Sequence, residues 1–267
     1  MRHSHHRFGK KDPRRWGMDW KDRLKKEKWV EGRLIYFHPS SYRHRVVVVC
    51  YELGRQKAEF SNGTLNYGAY VELCRPDGTW IREGVNVVPV LPDGRIVMVV
   101  EQRPAQFAYG DCPSQIETEG HKAMDLEKFG PYSSLEFPGG GVDADQNFHA
   151  AFLAELIGET GLEDQTATLI TREPYFYPAG ADVALRSKQA VIYLTGMKFE
   201  GYVNDDGGLH VLALSPYDIL RNIRTGALAS SQTVLLPWYF YQELQNSDTS
   251  ALEKTGYISR KEVKIKK

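Results

Sequence analysis

A glycine triplet followed by an acidic helix constrains this chain more than any other feature. Residues 139–162 read GGGVDADQNFHAAFLAELIGETGL, which predicts a glycine turn and then a helix over residues 147–159. Glu155 and Glu159 are four residues apart, so a helical turn of about 3.6 residues places both carboxylates on one face. Gly161 follows the last turn and predicts a left-handed cap at the end of the helix.

The face that carries the two acids also carries an aromatic residue. At 100° per residue, Glu155 and Glu159 lie within about 20° of the direction of Phe148, whereas a solvated acidic face is usually separate from an apolar stripe. Buried carboxylates need a cation or a proton. Two carboxylates beside a backbone carbonyl form an oxygen site suited to Mg²⁺ or Mn²⁺. We expect Glu155, Glu159 and the Gly140 carbonyl to hold such a cation; the alternative is an ordinary solvated pair.

The glycine triplet at 139–141 has two interpretations. It is either a tight turn and nothing more, or a segment whose missing side chains let the backbone approach a metal ion or a phosphate.

The spacing of these residues resembles the box of the Nudix pyrophosphohydrolases. That box reads Gly, five residues, Glu, seven residues, Arg-Glu-apolar-x-Glu-Glu-x-Gly-apolar. It opens here at Gly140, ends at Gly161-Leu162, and matches Glu155 and Glu159. Three of its charged positions differ, because the first Glu, the Arg and the next-to-last Glu are replaced by Gln146, Ala154 and Gly158.

Two flanking segments resemble the ADP-ribose pyrophosphatase branch of that family, VEQR at 100–103 and FYPAG at 176–180. The resemblance implies Mg²⁺-dependent cleavage of the pyrophosphate in a nucleoside diphosphate linked to another group, such as ADP-ribose or a nucleotide sugar. It makes Glu155 and Glu159 catalytic, and it implies a homodimer with exchanged N-terminal strands. The residues that it places near the substrate are Arg103, Gly139, Gly140 and Tyr177. Further acids of the family have candidate equivalents at Asp182, Asp205 and Asp206.

The lost box charges favour a second interpretation. A catalytically impaired module of this family would bind a nucleotide, RNA or a protein partner without turnover. A third and weaker interpretation is a structural subunit of a larger assembly.

Charge and composition set limits on the partners. Lys plus Arg and Asp plus Glu number 34 each, so the net charge does not indicate a polyanion partner. Basic residues gather at positions 2–28 and after Lys254, where they could contact nucleic acid; the alternative is solvated chain ends. No apolar run reaches the roughly 18 residues of a membrane span, and no secretory signal is evident. Three widely spaced cysteines argue against disulfides or zinc and favour a cytoplasmic location.

The order of patterns along the chain predicts the architecture. A basic extension covers residues 1–44, and a small antiparallel β unit with NG and DG turn signals covers 45–84. Strands and helices over 85–246 predict an α/β fold, a mixed sheet with helices on both faces, which the resemblance identifies as a Nudix-type α/β/α sandwich. Residues 104–134 form a long polar connection, either a lid or a surface insertion, and 247–267 a basic tail.

Overall fold

The structure is a computed structural model. It describes residues 33–39, 47–52, 57–60, 63–66, 69–74, 80–103, 106, 113–118, 123–130, 132–143, 145–163, 165–178, 183, 185–196, 202–203 and 210–266, with the backbone alone for 33–81 and 202–203. The chain divides into two compact units, residues 1–82 with 179–185, and residues 83–178 with 186–267.

The smaller unit is antiparallel, as the turn signals predict. Within its described part, a four-stranded sheet has the order β1-β2-β5-β6, and β3 and β4 form a separate hairpin. The strands are β1 (Arg33–Pro39), β2 (Val47–Glu52), β3 (Lys57–Phe60), β4 (Gly63–Asn66), β5 (Ala69–Cys74) and β6 (Trp80–Ile81). The basic positions 2–28 lie outside the described residues.

The larger unit is built on one mixed sheet. Its main path runs β15 (Tyr202–Val203), β16 (His210–Leu214), β8 (Ile96–Gln102), β7 (Glu83–Val90), β14 (Arg186–Leu194), β13 (Gln165–Arg172) and β17 (Ile258–Ile265). Strands β7 and β14 are parallel, and the other pairs are antiparallel. A small hairpin of β9 (Gln115–Ile116) and β10 (Met124–Asp125) lies outside this sheet.

A split in the sheet creates space near its centre. Strands β7 and β8 pair only at Val90 and Ile96, around the turn at residues 92–94. Beyond that point β11 (Ser133–Glu136) pairs with β8, and β12 (Gly139–Gly141) pairs with β7. The end of β11 and the start of β12 therefore lie where the two central strands separate, and the end of β8 pairs with the start of β11.

Four helices belong to the larger unit, within the residues described. They are α1 (Phe148–Thr160), α2 (Pro216–Thr225), α3 (Leu236–Asn246), which follows a π-helical turn at Ser231–Leu235, and α4 (Thr249–Lys254). A short 3₁₀ turn covers Leu126–Phe129. The Asn147 side chain caps the start of α1 by accepting from the Ala150 amide, and Gly161 ends it at φ 66°, as predicted. None of the described helices has the length and apolarity that crossing a membrane requires.

Alternation along the central strands sends side chains to two separate cores. Val97 and Val99 on β8 pack with Phe152 and Leu156 of α1. Met98, on the opposite face, belongs to the core that includes residues of α2 and α3. The mixed sheet thus has helices on both faces, which confirms the predicted α/β/α layering.

The prediction of a solvated basic tail is wrong for the segment that forms β17. This strand pairs with β13 over eight residues. Val263 and Ile265 are buried on the α1 side, while Lys264 between them is exposed. The period-two burial is that of a sheet strand, and the high lysine content concealed it.

The connection at 104–134 is partly ordered structure. It contains β9, β10 and the 3₁₀ turn, and its Ile116 and Leu126 are completely buried. These two side chains anchor the described part of the segment in the core shared with α2 and α3.

Candidate functional site

Two acids of α1 converge on the glycine strand β12. The Gly139 backbone N–H donates to Glu159 Oε2 at 2.9 Å. A Cβ placed on Gly140 would lie 2.3 Å from Glu155 Oε1, which is far inside van der Waals contact. Both carboxylates therefore lie directly against consecutive residues of β12, as the i,i+4 spacing predicts for one helix face.

The glycines of β12 are required for close approach and do not form a turn. A Cβ on Gly139 would lie 2.4 Å from the Val85 carbonyl oxygen and 2.5 Å from Asn86 Oδ1. The tight-turn interpretation is wrong, because Gly139 and Gly140 pair with β7 as a strand. Because Gly140 has no side chain, the Glu155 carboxylate can lie against it, and because Gly139 has none, β12 can lie close to β7.

Glu101, which sequence reasoning did not assign to the site, is a third acid beside this pair. Alternation along β8 places Glu101 on the same face as Val97 and Val99, the face that α1 covers. Its side chain hydrogen-bonds to that of Glu159. Because the charges of Glu101 and Glu155 both act on Glu159, the three acids form one electrostatic unit.

The environment of Glu159 disfavours its negative charge. Burial raises its pKa well above the ordinary value, and the charges of Glu101 and Glu155 raise it further. The hydrogen bond from the Gly139 amide opposes this shift and is weaker. Burial and the two neighbouring carboxylates together therefore disfavour the ionised form of Glu159.

Arg103 pairs with two acids at the edge of this group. Its Nε and one Nη each lie 2.9 Å from Glu136 Oε2, and the same Nη lies 2.6 Å from Glu101 Oε2. Burial disfavours the guanidinium charge, but Glu136 and Glu101 outweigh it and raise the Arg103 pKa. The predicted contact of Arg103 with a diphosphate would have to coexist with these ion pairs.

Glu136 is almost fully buried and has further partners. Its side chain is 2% exposed. Gln106 Nε2 donates to Glu136 Oε1 at 2.9 Å, and the Ser134 hydroxyl donates to Gln106 Oε1 at 3.0 Å. Sequence reasoning did not single out Glu136, because its role depends on the pairing of β11 with β8.

The remaining predicted site residue, Tyr177, follows β13. Its ring is 64% exposed. The preceding Phe176 is held by a bridge to Ser187 and by the Arg172 guanidinium, 3.8 Å from the centre of its ring. The structure therefore fixes the base of this loop and leaves the tyrosine ring at the surface. Gly180 and the three candidate acids at 182, 205 and 206 lie outside the described residues.

The altered box positions lie away from the three acids. Ala154 and Gly158 are exposed, and a Cβ on Gly158 would meet nothing within 4 Å. The Gln146 side chain accepts from the Asp143 amide at 3.3 Å. In the part of the chain that the structure describes, no group of three or more His, Cys, Asp or Glu side chains is arranged to hold a metal ion.

Comparisons with known proteins add a distant structural likeness to this geometry. No family model matches the chain, and no curated protein matches it. A crystal structure of an ADP compounds hydrolase aligns with 85% of this chain and 97% of its own, at 14% identity and a TM-score of 0.44. A likeness at this level carries no argument about function, so the arrangement of the side chains has to support one.

Proposed function

We propose that this chain is a Nudix-type hydrolase. It cleaves the pyrophosphate of a nucleoside diphosphate linked to another group, such as ADP-ribose or a nucleotide sugar, with Mg²⁺ or Mn²⁺. The observation that carries the proposal is the convergence of Glu155 and Glu159, with Glu101 beside them, on glycines that admit no side chain.

The donor set fits a hard divalent cation. Mg²⁺ keeps several of its waters and uses one or two protein carboxylates together with substrate phosphate oxygens, so it does not need a ready cluster of three protein ligands. Burial and the neighbouring acids raise the pKa of Glu159. A bound cation would stabilise its ionised form and lower that pKa. Glu155, Glu159 and the Gly140 carbonyl would hold it, and bound there it would neutralise charge on the phosphate oxygens.

The chain's own acids can move the proton that hydrolysis requires. A water oxygen forms a bond to one phosphorus, and the bond from that phosphorus to the bridging oxygen breaks. A carboxylate of the group accepts the water proton, and the bridging oxygen leaves on the other phosphate, so that both products are phosphomonoesters. Arg103 keeps Glu101 in place through their ion pair, a role that Ala154, in the position of the box arginine, cannot fill.

The test compares turnover in matched carboxylate variants. The pure protein is incubated with ADP-ribose and Mg²⁺ or Mn²⁺, and the products are followed by ³¹P NMR. We expect metal-dependent turnover that falls about 10³-fold or more in Glu155→Gln/Glu159→Gln. Glu127→Gln, an exposed acid on the 3₁₀ turn, is the control and should retain activity. Turnover that survives the double substitution would show that these acids are not catalytic.

One observation favours the second candidate function, a non-catalytic binding module. The altered box positions 154 and 158 are exposed, and neither supplies a charge to the acids. For such a module, calorimetry would detect ADP-ribose binding that is indifferent to divalent metal, and ³¹P NMR would detect no product.

We also propose a homodimer, which light scattering would measure directly; a monomer at working concentration would overturn it.

A further inference from the structure

A polar cavity lies at the N-terminal end of α1. It has a volume of about 380 Å³ and is lined by α1, β13, β14 and β17. Phe152 and Leu169 contribute an apolar part of its lining. Its polar lining includes Asn147, His149, Thr171, Lys188, Ser259 and Lys261. None of the three acids of the candidate hydrolase site contributes to it.

The strand residues of this cavity share one face of the sheet. Along β14, β13 and β17, the buried residues Ala190, Leu169 and Val263 pack on the α1 side. Because side chains alternate along a strand, Lys188, two residues before Ala190, and Lys261, two before Val263, project to that same side. Two ammonium groups from different strands therefore face one cavity.

The positive charge of the cavity is only partly neutralised. Lys188 Nζ pairs with Glu173 Oε2 at 3.0 Å, and its side chain is 13% exposed. Among the described residues that line the cavity, Glu173 is the one acid, so two lysines face one carboxylate. The Thr171 hydroxyl donates to Glu173 Oε1 at 3.1 Å, and Ser259 adds a hydroxyl group to the wall.

His149 supplies an unused polar atom to the same region. Its Nε2 is buried and has no hydrogen-bond partner among the described residues. This atom is itself shielded from the cavity, so the ring would have to turn for Nε2 to meet a ligand; the free-energy cost of leaving the atom unpaired favours that contact. Burial, followed by the charge of Lys261, lowers the His149 pKa. A negative group bound beside the ring would offset the effect of the Lys261 charge.

We propose that this cavity binds a small phosphorylated organic molecule, with its phosphate between Lys188, Lys261 and His149. Several donors converging from three elements suit the multiple acceptor oxygens of a phosphate. The volume is within the range of about 300–1,000 Å³ usual for small-molecule sites. The Phe148 ring, in edge contact with Tyr175, and the apolar lining provide a surface for the organic group.

The binding test follows His149 directly by NMR. The full chain is titrated with inorganic phosphate, a nucleoside monophosphate and the uncharged nucleoside, and the imidazole resonance is assigned with His149→Gln. We expect both phosphate ligands to shift the resonance and raise the His149 pKa, and the nucleoside to leave both unchanged. The monophosphate should bind about tenfold or more tightly than phosphate, because it also occupies the apolar part.

Two lysines of β17 provide a matched pair of variants. Lys261→Met should weaken monophosphate binding about tenfold and raise the His149 pKa of the free protein. Lys264→Met removes the same charge from the opposite face of the strand and should change affinity less than about twofold. Equal weakening by both variants, equal affinity for phosphate and monophosphate, or no shift of His149 would each overturn the proposal. None of these outcomes depends on turnover at the acidic site.

Discussion

The two ends of α1 present opposite chemistry on the same face of the sheet. At its C-terminal end, Glu155 and Glu159 lie beside Glu101, and burial together with these neighbouring charges raises the Glu159 pKa. At its N-terminal end, His149, Lys188 and Lys261 line one cavity together with Glu173, which pairs with Lys188. About 10 Å of helix separates the two regions. A single helix thus keeps a group of acids apart from a cavity with basic side chains.

The largest expected effect concerns the ion pairs that hold the acidic end together. Arg103→Gln leaves Glu136, 2% exposed, without its guanidinium partner. We expect the free energy of unfolding to fall by about 3 kcal/mol, the lower end for breaking a buried pair. Urea denaturation measures it. Arg95→Gln, which breaks an exposed pair with Asp93, should cost less than about 1 kcal/mol. Equal losses in both variants would mean that the acidic end does not depend on Arg103.

A sharper test of the acidic end adds one methyl group. Gly140→Ala would bring a Cβ to 2.3 Å from the Glu155 carboxylate, so that side chain must move. Displacement of a catalytic group by about 1 Å can lower turnover about 10²-fold, which steady-state kinetics would measure.

Gly158→Ala is the matched control on the same helix as Glu155. Its new methyl group meets nothing within 4 Å, so turnover should persist while the helix gains about 0.5–1 kcal/mol. If Gly140→Ala has full activity, the close packing against Glu155 has no catalytic role.

The acidic end was easier to predict from the sequence than the basic end, because it depends on residues that are close together in the chain. Glu155 and Glu159 belong to a single helix, so their convergence follows from helical geometry alone. The side chains of the basic end come from α1, β14 and β17, and only the strand order brings them together. The position of Glu101 was predictable in part. Alternation along β8 shows which face of the sheet it lies on, but it does not show that α1 covers that face.

The fold was predictable wherever local patterns were strong. The turn signals and the Gly161 cap specify their elements with few neighbours involved. Strand β17 was missed because Val263 and Ile265 stand among lysines, and their burial depends on β13, a distant part of the chain. Ile116 and Leu126 were missed for a related reason, since isolated apolar residues in a polar segment do not show which core receives them.

Ligands should stabilise the two ends separately. At about ten times its dissociation constant, Mg²⁺ bound at the acidic end would raise the free energy of unfolding by about 1.4 kcal/mol. Thermal unfolding would detect this shift, and Glu159→Gln should remove it while Lys261→Met should not. A nucleoside monophosphate should give the reverse dependence on these two variants. If either variant abolishes both shifts, the two ends do not bind their ligands independently.

The smallest expected effect is a pH dependence at the basic end. Burial and the charge of Lys261 lower the folded pKa of His149 below its ordinary value of 6.5, so the folded protein resists the proton that the unfolded chain accepts. As pH falls through 6.5 the unfolded state binds more protons, and stability must decrease. His149→Gln removes this contribution, so the free energy of unfolding of the variant should rise relative to the native protein as pH falls from about 7.5 to 5.5. Urea denaturation at several pH values measures the difference. Parallel curves would mean that His149 is as easily protonated in the folded protein as in the unfolded chain, and that the basic end exerts no field on it.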